Sequence, residues 1–356
     1  MVDIEKIMNI ATDDIEKIMN IAVDDIENVM GHEIPSEVVW YGSRGLSIGG
    51  YSTGSKQEII QYKAITSTGN MSDFGDIGNY GSYGGIVHLA TGSNGSRAVH
   101  MGGYGTNWND GETSNAAVLN NIYYITVSST GDSTDAADLT DARKWCVGST
   151  NGTRQLTCGG SFFNNIVDYF TIASISNASD FGDLYAGSYS NVGSINNATR
   201  AVIGTGATSA DGSGTGRMDY FTIASTGDAS DFGDMVVSGD QLGAQGIGGA
   251  ESTTRGVFFS GESSADATPL DNMAYITVDT TGNSSDFGNV IAVTANNDGS
   301  AATGNATKAE AYGYGTGATG AANDNIQSIT IASTGDAADN GNMLAAIVNN
   351  ASISGT

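Results

Sequence analysis

The chain has 356 residues, of which 39 are acidic and 13 basic, giving a formal net charge of -26 at pH 7. Phosphate backbones and anionic membrane surfaces both require Lys and Arg, so neither is an expected partner, and with no run of 18 apolar residues membrane insertion is not expected either. With 51 Gly, 2 Pro and only 15% charged residues, the chain is neither collagenous nor a Pro-rich linker, and it suits many tight turns between short strands. So acidic a surface repels itself, and dissolved salt screens that repulsion, so a saline or calcium-containing medium would suit it.

Residues 3–30 repeat every eleven positions as DIEKIMNIATD, DIEKIMNIAVD and DIENVM. Ile4, Ile7, Met8, Ile15, Ile18, Met19, Ile26, Val29 and Met30 recur at spacings of three and four, which places one apolar stripe along a helix. An eleven-residue period predicts a right-handed supercoil. Asp3, Asp14 and Asp25 can each cap a helical start, so one broken helix and three short ones are both open. The chain has no second helix to cover this face. A parallel homo-oligomer or insertion into another protein is therefore expected, with packing on the chain's own repeat domain as the alternative. Gly31 and Pro35 end the helix, and residues 1–35 form an oligomerisation and attachment segment. The opening MVDIEKIMNI has neither the basic nor the long apolar region of a secretory leader.

From residue 36 to 356 the chain is self-similar. A block typified by DYFTIASTGDASDFGDM at 219–235 occurs six times, with turn positions Gly69, Gly131, Ser176, Gly227, Gly282 and Gly335. A second element precedes each block: SRGLSIGGY, SRAVHMGGY, TRQLTCGGS, TRAVIGTGA, TRGVFFSGE and TKAEAYGYG. A third, weaker apolar stretch precedes that. Each unit thus offers strands a, b and c and a short strand d at Asp-Phe-Gly-Asp, with alternation such as Ile125–Val127 marking half-buried strands. Four short antiparallel strands about every 50 residues predict a six-bladed β-propeller, with a β-solenoid as runner-up. Both EVVWYG near the start and LAAIVNNASISGT at the end can serve as the strand that closes the ring.

The double-glycine ends of strand b (Gly49-Gly50, Gly102-Gly103, Gly159-Gly160) resemble kelch repeats. The Tyr-hydrophobic-Thr-Ile-Ala-Ser-Thr-Gly-Asp/Asn block with its Asp-Phe-Gly-Asp-Leu resembles propellers in tail-fibre and other virion proteins of marine bacteriophages. The Ile-Glu-Lys-Ile-Met units are similar to segments of the same proteins, and the resemblance covers nearly the whole chain. It departs from kelch proper: three b strands keep adjacent glycines, and the later Tyr and Trp of a kelch blade are not evident. The resemblance implies a non-enzymatic virion surface protein of tail-fibre or adhesin type, extracellular after lysis, that presents a propeller face to a host glycan or protein. It implies a trimer as the favoured oligomer, and other virion proteins as partners of the helix. An architectural decoration or connector protein is the second reading, and a polysaccharide-degrading enzyme the third.

Asp-Phe-Gly at 73–75, 180–182, 231–233 and 286–288 lacks the companion residues of a kinase, and GYGTGATG at 313–320 sits between strands rather than at a strand-to-helix turn. His88 and His100 are expected near each other on strands a and b, as core residues rather than metal ligands. Cys146 and Cys158 fall on neighbouring strands, where a bridge or two buried thiols are both open. No cofactor is expected. For Asp73/Asp76, Asp180/Asp183 and Asp231/Asp234, calcium binding and turn capping with Arg pairing are the two available roles. Arg44, Arg97, Arg154, Arg200, Arg255 and Lys308 occupy one repeat position, and salt bridges to Asp73, Asp76, Asp183 and Asp234 are expected there. The b–c and d–a connections share the opposite face. Their aromatic and polar residues, Tyr80, Tyr83, Tyr104, Asn107, Trp108, Asn109, Asp110, Tyr185 and Tyr189, are the candidate ligand contacts.

Overall fold

The computed structural model describes residues 28–29, 32–33, 40–52, 55–78, 85–106, 116–160, 164–185, 193–204, 206–207, 214–236, 244–245, 247–259, 261–263, 270–291, 301–313 and 323–356. Two compact units are present, 1–38 and 39–356. In the first, Asn28–Val29 pairs antiparallel with His32–Glu33. Asn28 and Val29, read from the sequence as part of a helix through Met30, are extended chain instead; Asn and β-branched Val are mediocre helix formers ahead of Gly31. Ile4, Ile7, Met8, Ile15, Ile18, Met19, Ile26 and Met30 lie outside the described residues.

In the second unit, strands a to d form six four-stranded antiparallel sheets. Blade 1 is Ala351–Gly355, Arg44–Ile48, Ile59–Ala64 and Ser72–Asp76. Blade 2 is Ala90–Ser93, Arg97–Met101, Asn121–Thr126 and Thr134–Asp138. Blade 3 is Val147–Thr150, Arg154–Cys158, Ile166–Thr171 and Ser179–Asp183. Blade 4 is Ser194–Asn196, Arg200–Ile203, Arg217–Thr222 and Ser230–Asp234. Blade 5 is Gly248–Glu251, Arg255–Phe259, Asn272–Thr277 and Ser285–Asn289. Blade 6 is Ala301–Gly304, Lys308–Tyr312, Asn325–Thr330 and Ala338–Asn342. Each strand a touches strand a of the next blade, from blade 1 round to blade 6 and back, which closes a six-bladed β-propeller about a central channel.

The C-terminal segment closes the ring. Ala351–Gly355 pairs with Arg44–Ile48, Arg44 opposite Gly355 and Ile48 opposite Ala351, so the first and last parts of the domain share one sheet. The described part of EVVWYG forms no strand; Trp40 instead lies buried in the channel.

Every blade repeats one device where strand d meets strand c. The pairing register shifts by one residue, at Ile60/Gln61 in blade 1 and at its equivalent in the other five. Such a bulge turns the extra residue inward. That residue is Phe74, Phe181, Phe232 or Phe287 in four blades, each buried. Above each Phe, edge-on at 5.7–6.1 Å, stands the Tyr of strand c: Tyr62, Tyr169, Tyr220 and Tyr275. Above each Tyr stands the repeat arginine, its guanidinium 4.4–4.6 Å from the ring centroid. Arg97 and Tyr124 do the same in blade 2, at 4.6 Å.

The repeat arginines do not pair with the repeat aspartates. Arg44 Nη1 donates to Val127 O (2.5 Å), Arg97 to Ile172 O (3.1 Å), Arg154 to Ile223 O (2.9 Å), Arg200 to Val278 O (3.1 Å) and Arg255 to Ile331 O (3.2 Å). Each acceptor lies just past strand c of the next blade. Among the described ion pairs none joins these arginines to Asp73, Asp76, Asp183 or Asp234. A planar, weakly hydrated guanidinium is satisfied by a ring face and a carbonyl, so no carboxylate is required.

The aspartates belong to a second interblade link. The turn glycine of one blade donates its N–H to the bulge Phe of the blade before: Gly131 to Phe74 O (2.7 Å), Gly227 to Phe181 O (2.8 Å), Gly282 to Phe232 O (2.7 Å) and Gly335 to Phe287 O (2.7 Å). The Asp or Asn after that glycine accepts the backbone N–H at the end of strand d. Asp132 accepts from Asp76 (3.0 Å), Asp228 from Asp183 (3.1 Å), Asn283 from Asp234 (3.0 Å) and Asp336 from Asn289 (2.9 Å). The approach is so close that a Cβ on Gly75, Gly182, Gly233 or Gly288 would collide with the carbonyl of the neighbouring turn glycine.

One seam differs. Apolar pairs pack across five of them, such as Leu46 with Ile125, Val99 with Phe170 and Leu156 with Phe221, each pair within one core cluster. Between blades 6 and 1 the corresponding residues are Glu310 and Lys63, both buried, with Nζ 2.8 Å from Oε1. Tyr312 Oη donates to Glu310 Oε2 at 2.8 Å, Asn340 Nδ2 donates to Glu310 Oε1, and Lys63 donates also to Asn340 O. Lys308 follows the same logic: it bonds Asn340 Oδ1 (3.0 Å) and lies 3.5 Å from Glu310, not near a repeat Asp. Removing one member of a buried pair strands a charge, whereas replacing both with apolar residues is close to neutral. Glu310→Val alone is expected to destabilise the fold by about 3–5 kcal/mol in urea unfolding, and adding Lys63→Ile, which restores the pattern of the other seams, is expected to recover most of that loss.

Candidate functional site

The channel holds a cavity of about 150 Å³ lined by the a strands of all six blades. Many of its polar groups bond one strand to the next: Thr91 Oγ1 to Ser352 O (2.8 Å), Ser194 Oγ to Gly148 O (2.5 Å) and Ser354 Oγ to Gly304 O (2.6 Å). At the end carrying the a–b turns, Trp40 Nε1 donates to Glu251 Oε1 at 3.1 Å, with Tyr41 edge-on to Trp40 at 5.2 Å. Burial pushes the Glu251 carboxyl up to about 8, against the opposing effects of the Trp40 bond and a bond from the Asn196 backbone.

The other end carries the b–c and d–a connections. Two residues ahead of strand a in blades 1, 2 and 3 stand Asn349, His88 and Trp145, with φ of 57°, 59° and 61°. Asn tolerates this left-handed backbone well, but for a residue as bulky as Trp it costs about 1–3 kcal/mol. The three are threaded together: Trp145 N donates to His88 O (2.9 Å) and His88 N to Asn349 O (3.3 Å). The His88 and Trp145 rings lie 5.2 Å apart.

Above them sit two short hairpins. Tyr51–Ser52 with Ser55–Lys56 extends blade 1, and Tyr104–Thr106 with Ala116–Val118 extends blade 2. Each folds back onto its own blade: Tyr51 exchanges backbone bonds with Val348 (2.7 and 3.0 Å), and Tyr104 with Val87 (2.8 and 3.2 Å). This brings Lys56 Nζ to 4.2 Å and Lys144 Nζ to 4.6 Å from the centroid of the Tyr104 ring, and Lys144 also lies 3.9 Å from the Trp145 ring. Burial holds both ammonium groups below their ordinary value, and Lys144 lowers Lys56 further. Burial, then Lys144, then Lys56 push the His88 imidazole down to about 3, so this ring is neutral at neutral pH.

Of the ligand contacts read from the sequence, Tyr104 is therefore at the channel mouth. Tyr185 is on the outer rim of blade 3, mostly exposed, with the Arg217 guanidinium 3.9 Å from its ring. Arg217 in turn pairs with Asp219 (2.7 Å) and Asp231 (3.0 Å). Tyr80, Tyr83, Asn107, Trp108, Asn109, Asp110 and Tyr189 lie outside the described residues. His100 is buried and stacked on Tyr123 at 4.9 Å, apart from the channel chemistry. Cys146 and Cys158 are buried free thiols, both pushed up by burial. Among the described residues no three His, Cys, Asp or Glu form a metal-holding group. Asp231 accepts the Gly233 N–H at 3.1 Å, as a turn cap does.

Sequence reasoning passed over Lys56, Lys144, Trp145, Asn349 and Glu251. A usable signal was present, because Lys56 and Lys144 are among the few basic residues outside the repeat position. The class defined by the fold is a six-bladed β-propeller. Compared with known proteins, the chain matches no family model and no curated sequence.

The raised Glu251 carboxyl sets a pH dependence. Its proton is held more tightly in the folded chain than in the unfolded one, so its contribution is full below about pH 4.5 and is lost as pH rises to about 8. Thermal unfolding at pH 5 and pH 9 is expected to show a fall in stability across that window, on the order of a few kcal/mol, that Glu251→Gln abolishes.

Proposed function

We propose that this chain is a non-enzymatic recognition protein of a virion surface, of tail-fibre or adhesin type, whose propeller face contacts a host glycan or protein. One observation carries the reading. The repeated polar and aromatic side chains are taken up by contacts between blades, while unrepeated Lys, Tyr, Trp and His residues converge at one mouth of the channel. A rigid ring with an idiosyncratic mouth is the arrangement of a binding platform, in which the scaffold repeats and function resides in what does not.

The resemblance to virion propellers supports surface placement, and the eleven-residue stripe at the N-terminus supports a parallel oligomer, with a trimer favoured, that attaches to other virion proteins. Aromatic rings beside polar groups suit sugars, which offer apolar ring faces and many hydroxyls. A Tyr104→Ala, Trp108→Ala double variant is expected to keep the parent unfolding midpoint and to lose at least about tenfold in attachment to host cells. Attachment equal to the parent's would reject this face as the receptor site and favour an architectural role.

A further inference from the structure

The dipeptide Asn-Gly occurs three times in the chain, at 94–95, 151–152 and 340–341, and all three lie among the described residues. Each glycine holds the left-handed backbone that favours Gly, with φ of 84°, 79° and 114°. The asparagines have structural partners. Asn94 Oδ1 accepts from Arg97 N (2.8 Å), and Asn151 Oδ1 accepts from Thr153 N (3.1 Å) and Arg154 N (2.8 Å), which closes the a–b turns of blades 2 and 3. Asn340 lies in the closing seam, where it donates to Glu310 and accepts from Lys308.

This pairing of residues carries a chemical liability. The backbone nitrogen after an asparagine can lose its proton and attack the side-chain carbonyl carbon. A bond from that nitrogen to Cγ forms, the Cγ–Nδ2 bond breaks, ammonia leaves and a succinimide ring remains. Water then opens the ring at either carbonyl, giving an aspartyl or an isoaspartyl link. Glycine hinders the attack least, because it has no Cβ. An isoaspartyl link lengthens the main chain and would disturb the register of strands a and b. At Asn340 the new carboxylate would face Glu310 in place of an amide donor.

In all three cases the attacking nitrogen is already engaged, each time by the side chain just before the asparagine. Gly95 N donates to Ser93 Oγ (2.9 Å), Gly152 N to Thr150 Oγ1 (2.9 Å) and Gly341 N to Asp339 Oδ1 (3.1 Å). Ser93 and Thr150 are buried, and Thr150 Oγ1 itself donates to Arg154 O at 3.1 Å. The repeat supplies an internal comparison. At the same turn in blades 4 and 6, Ala follows the asparagine, as Asn197-Ala198 and Asn305-Ala306, and the residue before it is Asn196 or Gly304. A hydroxyl thus precedes the asparagine in the two turns where glycine follows it. Asp339 is instead the repeat's own turn cap, as the Asp231 bond to Gly233 shows in blade 4, and Asn340 gains the same anchor from it.

We propose that Ser93, Thr150 and Asp339 are positioning residues that hold the three Asn-Gly bonds against spontaneous succinimide formation, so that two a–b turns and the closing seam resist chemical ageing. Before nitrogen and Cγ meet, the glycine N–H must leave its anchor and the carboxamide must leave its own partners, and each lost bond raises the barrier. The inference goes beyond the recognition reading and does not depend on it.

The test follows the full chain during warm incubation in native buffer at alkaline pH, with peptide mass spectrometry counting the exchange of NH2 for OH at each of the three asparagines. Ser93→Ala is expected to speed the reaction about threefold or more at Asn94 and to leave Asn151 and Asn340 at the parent rates. Thr150→Val is expected to do the same at Asn151 alone, and Thr150→Ser, which keeps the hydroxyl, to retain the parent rate there. No acceleration at the neighbouring asparagine overturns the proposal. So does acceleration at all three together, which reports a loosened fold rather than a lost anchor, and so does a Thr150→Ser variant as fast as Thr150→Val. The parent chain gives a reading that needs no variant: the Gly95 and Gly152 amides are expected to exchange hydrogen slowly in the native state, and exchange at the rate of an unprotected turn overturns the proposal.

Discussion

Hydrogen bonding within a blade stops at strand d, so what joins one sheet to the next decides whether six small sheets become one molecule. Here the joint is made twice at four of the five regular seams. An arginine clamped on a tyrosine ring reaches the carbonyl past strand c of the next blade. A glycine N–H in the next blade's turn returns to the bulge residue of the outer strand. The bulge connects the two, because it turns Phe inward under the Tyr and Arg and brings the Gly of strand d against the neighbouring turn. Arg, Tyr, Phe, Gly and Asp of the repeat are thus parts of one contact, and the low charge content of the chain follows from how little surface charge the ring itself requires.

A ring built from one repeated contact has a difficulty: each blade is a plausible neighbour for any other. At the final seam a buried ion pair stands where the other five have an apolar pair between strands b and c. Lys308 and Ser328 stand where the other five blades have Arg and Tyr, Asn340 stands where four of them have Phe, and Glu310 faces Lys63 across the gap. A misplaced Glu310 against an apolar residue of another blade would be an unpaired buried charge, which is costly. The pair thereby discriminates among seams, and together with the C-terminal strand in blade 1 it specifies where the ring closes.

The period, the strand count and the six-fold position of the basic residues were readable because repetition multiplies a weak local signal six times. The arginine partners were misread for a physical reason. Opposite charges on neighbouring turns suggest pairing, but pattern does not reveal that a ring face and a bare carbonyl already satisfy the guanidinium. The interior polar position of strand c was equally visible and passed over. Asp168, Asp219 and Gln61, each flanked by apolar or aromatic residues, and Gln327, between Ile326 and Ser328, accept the N–H that follows strand d of the blade before, at Thr140, Tyr185, Leu344 and Ile291. The mouth was the least readable feature, since Lys56, Tyr104 and Lys144 come from three connections and meet only once the blades are in place. Setting aside the repeat position and the N-terminal segment leaves Lys56, Lys63, Arg143, Lys144 and Arg217, and each has a distinct task or partner: Arg143, for instance, is wholly buried against Asp168.

The claim that interblade contacts make one cooperative ring is tested most directly by native-state hydrogen exchange at Gly131, Gly227, Gly282 and Gly335. These residues lie in exposed turns, yet each N–H crosses to the neighbouring blade. The account predicts that their amides exchange as slowly as those of the buried strands b and c, through global opening alone. Exchange at the rate of an unprotected surface turn would contradict it.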